Sequence, residues 1–394
     1  MRIAIASRIF EPEPSAASFR LDALANGFSA AGDDVRVLTV RPTAANERPG
    51  PDKFGDADRS YAVTRFPVLR DRSGYVRGYL QYLSFDVPLF FRILFGPKQD
   101  ALIVEPPPTT VFFATLAAKI RRIPVFAYAA DVWSDASEST GAPDAVVKVV
   151  RWFERFAWNS ARGVFSVNDG VTDRVREIAP KATVQTVGNG INTETFTRAG
   201  HVPAAAQQLA AEAPYAIYTG TASEWQGAEV FVQAVAELRN RGEDLRLVFL
   251  GQGTALPELK NTAAELGVPV EFHDPVPPEQ AAAWLRGAAL SVASIRPGAG
   301  YDFAYPTKIF AAWACGTPVV YAGPGPARAV LSATPALGLG VDHDVPAVAD
   351  ALLAVMDTKQ AHSAAIAAWA QDNVSLTGVA RRAVEFTHAR LNAA

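Results

Sequence analysis

Short β-branched runs alternate with longer, Ala-rich stretches whose apolar positions recur every three or four residues, and the alternation continues over almost the whole chain. In the first half the pattern predicts strands near Ile3–Ala6, Val35–Val40, Ala101–Val104, Pro124–Tyr128, Gly163–Val167 and Thr183–Val187. Helices are predicted between them over Ser15–Ala31, Thr110–Arg121, Val146–Ser160 and Gly170–Ile178. Strand, helix, strand at this spacing implies right-handed crossovers and a parallel sheet with helices on both faces. The second half repeats the scheme, with strands at Tyr215–Thr219, Leu245–Leu250, Val270–Phe272, Leu290–Ser294 and Pro318–Tyr321. Its helices are predicted at Ala228–Asn240, Ala255–Leu266, Glu279–Arg286, Lys308–Ala314 and Val345–Met356.

Between the halves, Asn192–Ala211 is polar and irregular, with Gly200 and Pro203, and reads as the linker. The expected organisation is an N-terminal Rossmann-like domain over 1–195, a C-terminal one over 212–375, and a last helix over 376–394 that packs back on the first domain. Ligands of open parallel sheets bind beyond the carboxyl ends of the strands. The segments just after predicted strands are therefore where chemistry is expected.

Composition narrows the choice. A chain of 394 residues with 49% hydrophobic and 20% charged residues has material for a sizeable core and two or three domains. A net charge of −3 gives no electrostatic ground for a nucleic-acid partner. Cys315 is the single cysteine, so there is no internal disulfide, and the five histidines lack ligand spacing, so no metal or cofactor is expected. The opening MRIAIASRIF is interrupted by Arg8 and does not read as a signal peptide, and no apolar stretch reaches the length of a spanning helix. A cytoplasmic protein is expected, with room for contact at the inner face of a membrane.

The most informative stretch is Ser294–Pro318. A predicted strand ends, a Gly-rich loop with Arg296 and Asp302 follows, and Tyr305-Pro306-Thr307-Lys308 opens a helix that stops at Gly316 and Pro318. Free amides at the helix start, with Lys308 and Arg296 nearby in sequence, suit a diphosphate. On charge alone, a solvated lysine and an Arg296–Asp302 pair is an equal reading. Gly251-Gln252-Gly253 lacks the third glycine of a dinucleotide fingerprint and reads as a tight turn that lets backbone approach a nucleotide.

Taken in order, these segments resemble family-four glycosyltransferases of the GT-B fold, two Rossmann-like domains facing across a cleft. Ser294–Pro318 is similar to the P-S-K-x-x-E-Y-x-A-x-G-x-P-V signature. Pro12–Val40 resembles a P-E-x-G-A-A-x-x-R opening, Asp131-Val132-Trp133 a D-L-W-P, Gly188–Asn192 an N-G-V-D, and Gly220–Gly227 a loop ending in Q-G. The bacterial branch that builds O-antigen and capsule, including N-acetylfucosaminyl transferases, is the nearest in pattern. The resemblance implies a retaining, metal-free transfer from a nucleotide-diphosphate sugar to a glycan, lipid-linked or small-molecule acceptor, with the leaving phosphate taking the acceptor's proton. It assigns Asp131, Arg296 and Lys308 to catalysis. The donor falls to Gly220, Thr221, Gln226, Gly251, Gly253, Asp302, Pro306 and Thr307, and the acceptor to Ser15, Ser18 and Asn189. Plainer roles stand beside these: a helix cap at Asp131 and at Ser15, and a turn at Asn189.

The chain also departs from the family pattern. The glutamate that usually holds the ribose aligns with Ala311, and the Arg and Lys that often clamp the diphosphate align with Thr221 and Gln226. Two other readings therefore stay open: a nucleotide-sugar 2-epimerase, which needs acid and base residues beyond the one nearby histidine, His273, and a catalytically silent nucleotide-binding scaffold. Finally, Gly74–Pro97 holds seven aromatics, with Tyr75, Tyr79 and Tyr82 on one helical face and Pro88 expected to kink or split the helix. The segment reads either as a membrane-surface contact or as a helix packed on the first sheet.

Overall fold

The computed structural model describes residues 1–13, 15–43, 52, 54–71, 74, 76, 78–139 and 141–393. It consists of two units: Met1–Asn189 with Leu376–Ala394, and Gly190–Ser375. The chain enters the second unit once and returns to the first for its last helix.

The first unit is a parallel sheet in the order β3-β2-β1-β4-β5-β6-β7. Its strands are β1 (Arg2–Ala6), β2 (Asp34–Val40), β3 (Ala62–Phe66), β4 (Ala101–Val104), β5 (Val125–Ala129), β6 (Gly163–Ser166) and β7 (Val184–Thr186). The central strands β4, β5 and β6 are buried at every position, as runs without alternation require when both faces are covered. Its helices are α1 (Ala16–Ala30), α2 (Tyr79–Phe95), α3 (Pro108–Arg121), α4 (Trp133–Ser139), α5 (Asp144–Ser160) and α6 (Asp169–Ile178). The edge strand β3 escapes the sequence pattern because its AVTRF is only half-buried and lacks a clean period.

The second unit has the order β10-β9-β8-β11-β12-β13, again all parallel. Its elements are α7 (Ala204–Glu212), β8 (Tyr215–Thr221), α8 (Glu229–Asn240), β9 (Arg246–Gln252), α9 (Leu256–Leu266), β10 (Val270–His273), α10 (Pro278–Gly287), β11 (Leu290–Ser294), α11 (Lys308–Ala314), β12 (Val319–Ala322), α12 (Pro326–Ala333), β13 (Gly338–Val341), α13 (Val345–Met356) and α14 (Lys359–Val374). Helix α7 forms inside the stretch that reads as an irregular linker. Pro203 stands at its N-cap, and Ala206 and Leu209 anchor it in the core that also holds Tyr215 and Trp284. Two buried apolar positions are too few to register as a period.

The last helix, α15 (Leu376–Asn392), lies along α1 in the first unit. Gly27 makes this approach possible: a Cβ there would sit 3.2 Å from that of Ala380. Arg382 donates to Val187 O (2.8 Å), and Phe386 packs edge-on against Phe126 and Phe165. Helix α2 runs unbroken through Pro88, so the residue does not split it. Tyr75 and Arg77 lie outside the described residues.

In both sheets the strand order reverses about one strand pair, β1 and β4 in the first, β8 and β11 in the second. Beyond such a pair the chain leaves in opposite directions and opens a crevice at the carboxyl edge. In the second unit β8 and β11 pair only at Ala216–Leu290 and Ile217–Ser291, so the crevice begins early.

Candidate active site

A cavity of about 550 Å³ occupies that crevice in the second unit. Thr219, Gly220 and Thr221 reach it from the end of β8, Leu250 to Gln252 from the end of β9, and Ala304 to Lys308 from the chain after β11. Ile191, Phe196, Pro275, Val276 and Ala281 supply an apolar wall, and Ala311 lies in the lining. Polar groups are few and include no carboxylate: Thr219, Thr221, Gln226, Gln252, Tyr305, Thr307 and Lys308. A mostly apolar lining with a few placed polar groups is the usual composition of a small-molecule site.

Lys308 is the cation of the cavity. Its Nζ donates to Thr221 O (3.0 Å) and sits 3.4 Å from the centre of the Tyr218 ring. Among the described residues it has no carboxylate partner. Burial, with nothing to offset it, holds its pKa well below the ordinary lysine range. An ammonium left short of counter-charge in an apolar lining is a site waiting for an anion. The helix it opens adds less than its sequence promises, because the Ile309 and Phe310 amides already donate to Pro306 O and Thr307 O.

The loop facing Lys308 is fixed by side chains rather than by length. Gln226 Oε1 accepts from Ser223 N (3.0 Å) and from the Tyr218 hydroxyl (2.9 Å), closing a capping box around a single 3₁₀ turn, Glu224–Gln226. Gln226 therefore lines the cavity while holding the loop. Arg296 does not reach the cavity. Its guanidinium pairs with Glu229, not with Asp302, and its amide donates to Trp225 O (3.0 Å). Asp302 accepts from Gly298 N (3.0 Å) and shapes the glycine loop. Trp225 and Tyr301 stack at 4.4 Å across the same two loops. Arg296 and Asp302 thus build the loops that frame the cavity, and the sequence offered no sign of Glu229 as the partner.

Gly251 and Gly253 are required by the neighbouring backbone. A Cβ on Gly251 would lie 2.0 Å from Gly220 O, and one on Gly253 the same distance from Ala222 O. Here the ends of β8 and β9 remain paired, with Ala222 N donating to Gln252 O (2.8 Å). Of the two, Gly251 lines the cavity and Gly253 does not. Gly251→Ala is expected to cost about 3 kcal/mol or more, because neither backbone can yield, and urea denaturation reads this directly.

In the first unit, the carboxyl edge of the sheet holds a buried ionic cluster. Arg20 Nη2 donates to Glu105 Oε1 (2.5 Å), both side chains are nearly inaccessible, and Arg20 lies over the Tyr128 ring. Asp131, just beyond β5, faces this cluster. The surrounding protein raises its pKa, and Arg20 pulls it down. Asp131 does not cap α4. That role belongs to Glu154 on α5, whose Oε1 accepts from Trp133 N (2.6 Å) and Ser134 N (3.3 Å) and whose own pKa burial pushes up to about 7. The expected cap at Ser15 is present: Ser15 Oγ accepts from Ser18 N (3.0 Å), and Ser18 is buried. Arg8 lies over the Tyr82 ring and donates to Val76 O (2.9 Å). Asn189 ends the first unit, two residues after Val187, the anchor for Arg382.

Residues 16–190 match the family described as a glycosyl transferase 4-like domain, and residues 213–358 match glycosyl transferases group 1. By sheet topology and by both matches the chain belongs to the glycosyltransferases of the GT-B fold. Among solved structures it is similar to sucrose-phosphate synthase from Thermosynechococcus elongatus, with TM-score 0.73, 15% identity and full coverage of both chains. It is also similar to Anabaena HepE in complex with UDP, with TM-score 0.71, 13% identity, 99% of this chain and 100% of that one. Among curated proteins it is 34% identical over 199 residues to the D-inositol 3-phosphate glycosyltransferase of Xylanimonas cellulosilytica, 46% of this chain and 45% of that protein. It is 27% identical over 126 residues to the alpha-D-kanosaminyltransferase of Streptomyces kanamyceticus, 30% of this chain and 32% of that protein. The matched stretches span less than half the length of these curated relatives.

Proposed function

We propose that the chain transfers a sugar from a nucleotide-diphosphate donor to a hydroxyl of a glycan, lipid-linked or small-molecule acceptor, with retention and without a metal, as the family resemblance implies. One observation carries this reading: an uncompensated Lys308 ammonium in a cavity without a carboxylate, at the switch point of a parallel sheet. The donor diphosphate lies against Lys308 and Thr307, its nucleoside against the apolar wall of Pro275 and Val276. As the sugar–phosphate bond breaks, negative charge grows on the leaving diphosphate. Lys308, protonated on binding that anion, stabilises it where water is largely displaced. As the family resemblance implies, Asp131 orients the acceptor, and Ser15, Ser18 and Asn189 bind it.

The 2-epimerase reading finds little support, because His273 is engaged with Glu271 (2.9 Å) and the Trp284 ring and does not line the cavity. A silent scaffold keeps its footing in Ala311, where the family places a ribose-holding glutamate. The two are told apart by experiment. Thermal-shift screening against a panel of nucleotide sugars identifies the donor, since a ligand at a hundred times its dissociation constant adds about 2.7 kcal/mol of stability. Transfer to a panel of sugar, inositol and lipid-linked acceptors then follows. Donor binding with no product from any acceptor, and no slow hydrolysis of the donor, rules out the transferase. Ala311→Glu is expected to tighten nucleotide binding about tenfold by giving the ribose hydroxyls an acceptor; calorimetry showing weaker binding of every nucleotide by a folded variant overturns that geometry.

A further inference from the structure

Helix α2 is built inside out on its solvent side. Its exposed stripe consists of Leu80, Leu83, Val87, Phe91 and Phe95, with Leu80 70% and Phe95 79% exposed. Its two charged residues turn away from that stripe: Asp86 is buried beneath a hydrogen bond from the Thr110 hydroxyl (2.5 Å), and Arg92 lies 3.3 Å from the centre of the Phe66 ring. The opposite, buried face of α2 already fills the core with Phe85, Leu89 and Ile93, so packing on the sheet does not account for the exposed residues.

The neighbouring helices continue the surface. Helix α3 lies beside α2 and α5 beside α3. Arg121 at the end of α3 donates to the Leu94 and Gly96 carbonyls at the end of α2 (2.6 and 3.0 Å). On the other side Phe112 of α3 packs against Trp152, Phe153 and Phe156 of α5. Along this line α3 exposes Leu116 and Ile120, and α5 exposes Val149 and Trp152. An apolar area shared by three helices exceeds the scattered hydrophobics of an ordinary surface.

Its rim is basic. Lys98 and Arg122 stand at the ends of α2 and α3 beside Lys119, and all three line a recess of about 660 Å³. Lys148 and Arg155 flank Trp152 on α5. Lys98, Arg122, Lys148 and Arg155 are exposed, and among the described residues their side chains have no ion-pair partner. The acid in the middle of α5, Glu154, faces inward to cap α4. The whole chain carries −3, so this positive local balance runs against the average.

We infer that the joined faces of α2, α3 and α5 form a docking surface for an anionic lipid bilayer. The aromatic and aliphatic side chains enter the interface, and Lys98, Lys119, Arg122, Lys148 and Arg155 meet the headgroups. No helix among the described residues is long and apolar enough to cross a membrane, so the contact lies in the plane of the surface. A second copy of the chain is the poorer occupant, because a two-fold pairing of this face would set basic rim against basic rim. The surface belongs to the first unit and the donor cavity to the second, and its test reads vesicle binding rather than transfer.

The test is flotation of the full chain with vesicles of phosphatidylglycerol and phosphatidylcholine, or of phosphatidylcholine alone, at low and high salt. Wild type is expected to float with the anionic vesicles at low salt and to be released by salt. Phe91→Ser, Phe95→Ser and Trp152→Ser together are expected to lower vesicle affinity at least tenfold. Lys98→Glu, Lys148→Glu and Arg155→Glu, at exposed positions without an ion-pair partner among the described residues, are expected to keep the fold and to lower it about a hundredfold. Both variants should keep wild-type UDP affinity, which separates loss of docking from loss of the donor site. Wild type that stays off anionic vesicles at low salt, or binds neutral ones equally well, overturns the inference. A concentration-dependent dimer in light scattering that the aromatic variant abolishes overturns it in favour of a second copy.

Discussion

Lys308→Ala is expected to weaken UDP and GDP binding about tenfold or more, the loss of one charge-assisted contact of roughly 1.5–3 kcal/mol. Arg296→Ala should change affinity far less, because its guanidinium already pairs with Glu229 outside the cavity. The pH dependence identifies the group. Burial lowers the Lys308 pKa, so in the free protein the ammonium begins to lose its proton below the pH at which an ordinary lysine does. The diphosphate binds the protonated form. Affinity should therefore fall with rising pH earlier than lysine chemistry alone predicts, and binding should take up a proton from the buffer. In Lys308→Ala that part of the slope disappears; in Lys308→Arg the charge persists and the slope moves out of range. The sign for stability is opposite. A lysine whose folded pKa is depressed binds fewer protons folded than unfolded, so its charge costs stability at neutral pH and the cost fades as pH rises. Lys308→Met, which keeps the apolar stem, should raise the melting temperature of the free protein while losing nucleotide affinity. Calorimetry across pH with unchanged affinity in Lys308→Ala removes Lys308 from the donor site.

That opposition between stability and binding also marks what was legible in the sequence. Buried parallel strands such as ALIV at β4 and VFAYA at β5 announce themselves as unbroken apolar runs, and the doubly wound fold follows from their alternation with helices. Lys308 was legible because it opens a helix after a strand and a glycine loop. Its isolation was not, since the distance to the nearest carboxylate is a tertiary fact. Arg296 shows the same limit from the other side. Six residues from Asp302 in the chain, it pairs instead with Glu229, brought close by the turn that Gln226 caps. Gly251 and Gly253 read as a turn that lets backbone approach a ligand, and what the sequence does not reveal is that each also makes room for the neighbouring backbone, at Gly220 O and Ala222 O. Glu154 was invisible: one acid on an amphipathic helix reads as solvated until its carboxylate is found on the amides of α4.

Asp131→Asn is expected to lower turnover about a hundredfold while leaving donor affinity within twofold and the melting temperature unchanged. Each part has its own ground. Asp131 makes no hydrogen bond among the described residues, and its charge meets the Arg20–Glu105 pair with opposing signs, attracted by Arg20 and repelled by Glu105. The amides it might have capped belong to Glu154. Its carboxylate sits at the carboxyl end of β5 beside the Arg20–Glu105 pair; the proposed role is to orient an acceptor hydroxyl, and loss of orientation alone is worth about that factor. The donor cavity lies wholly within the second unit, so donor affinity has no reason to move. Glu154→Ala supplies the contrast. It strips the acceptor from Trp133 N and Ser134 N and should cost about 1–3 kcal/mol of stability in urea, with activity falling only through the unfolded fraction. An Asp131→Asn protein that melts as early as Glu154→Ala, or that transfers sugar at the wild-type rate, assigns Asp131 to the scaffold.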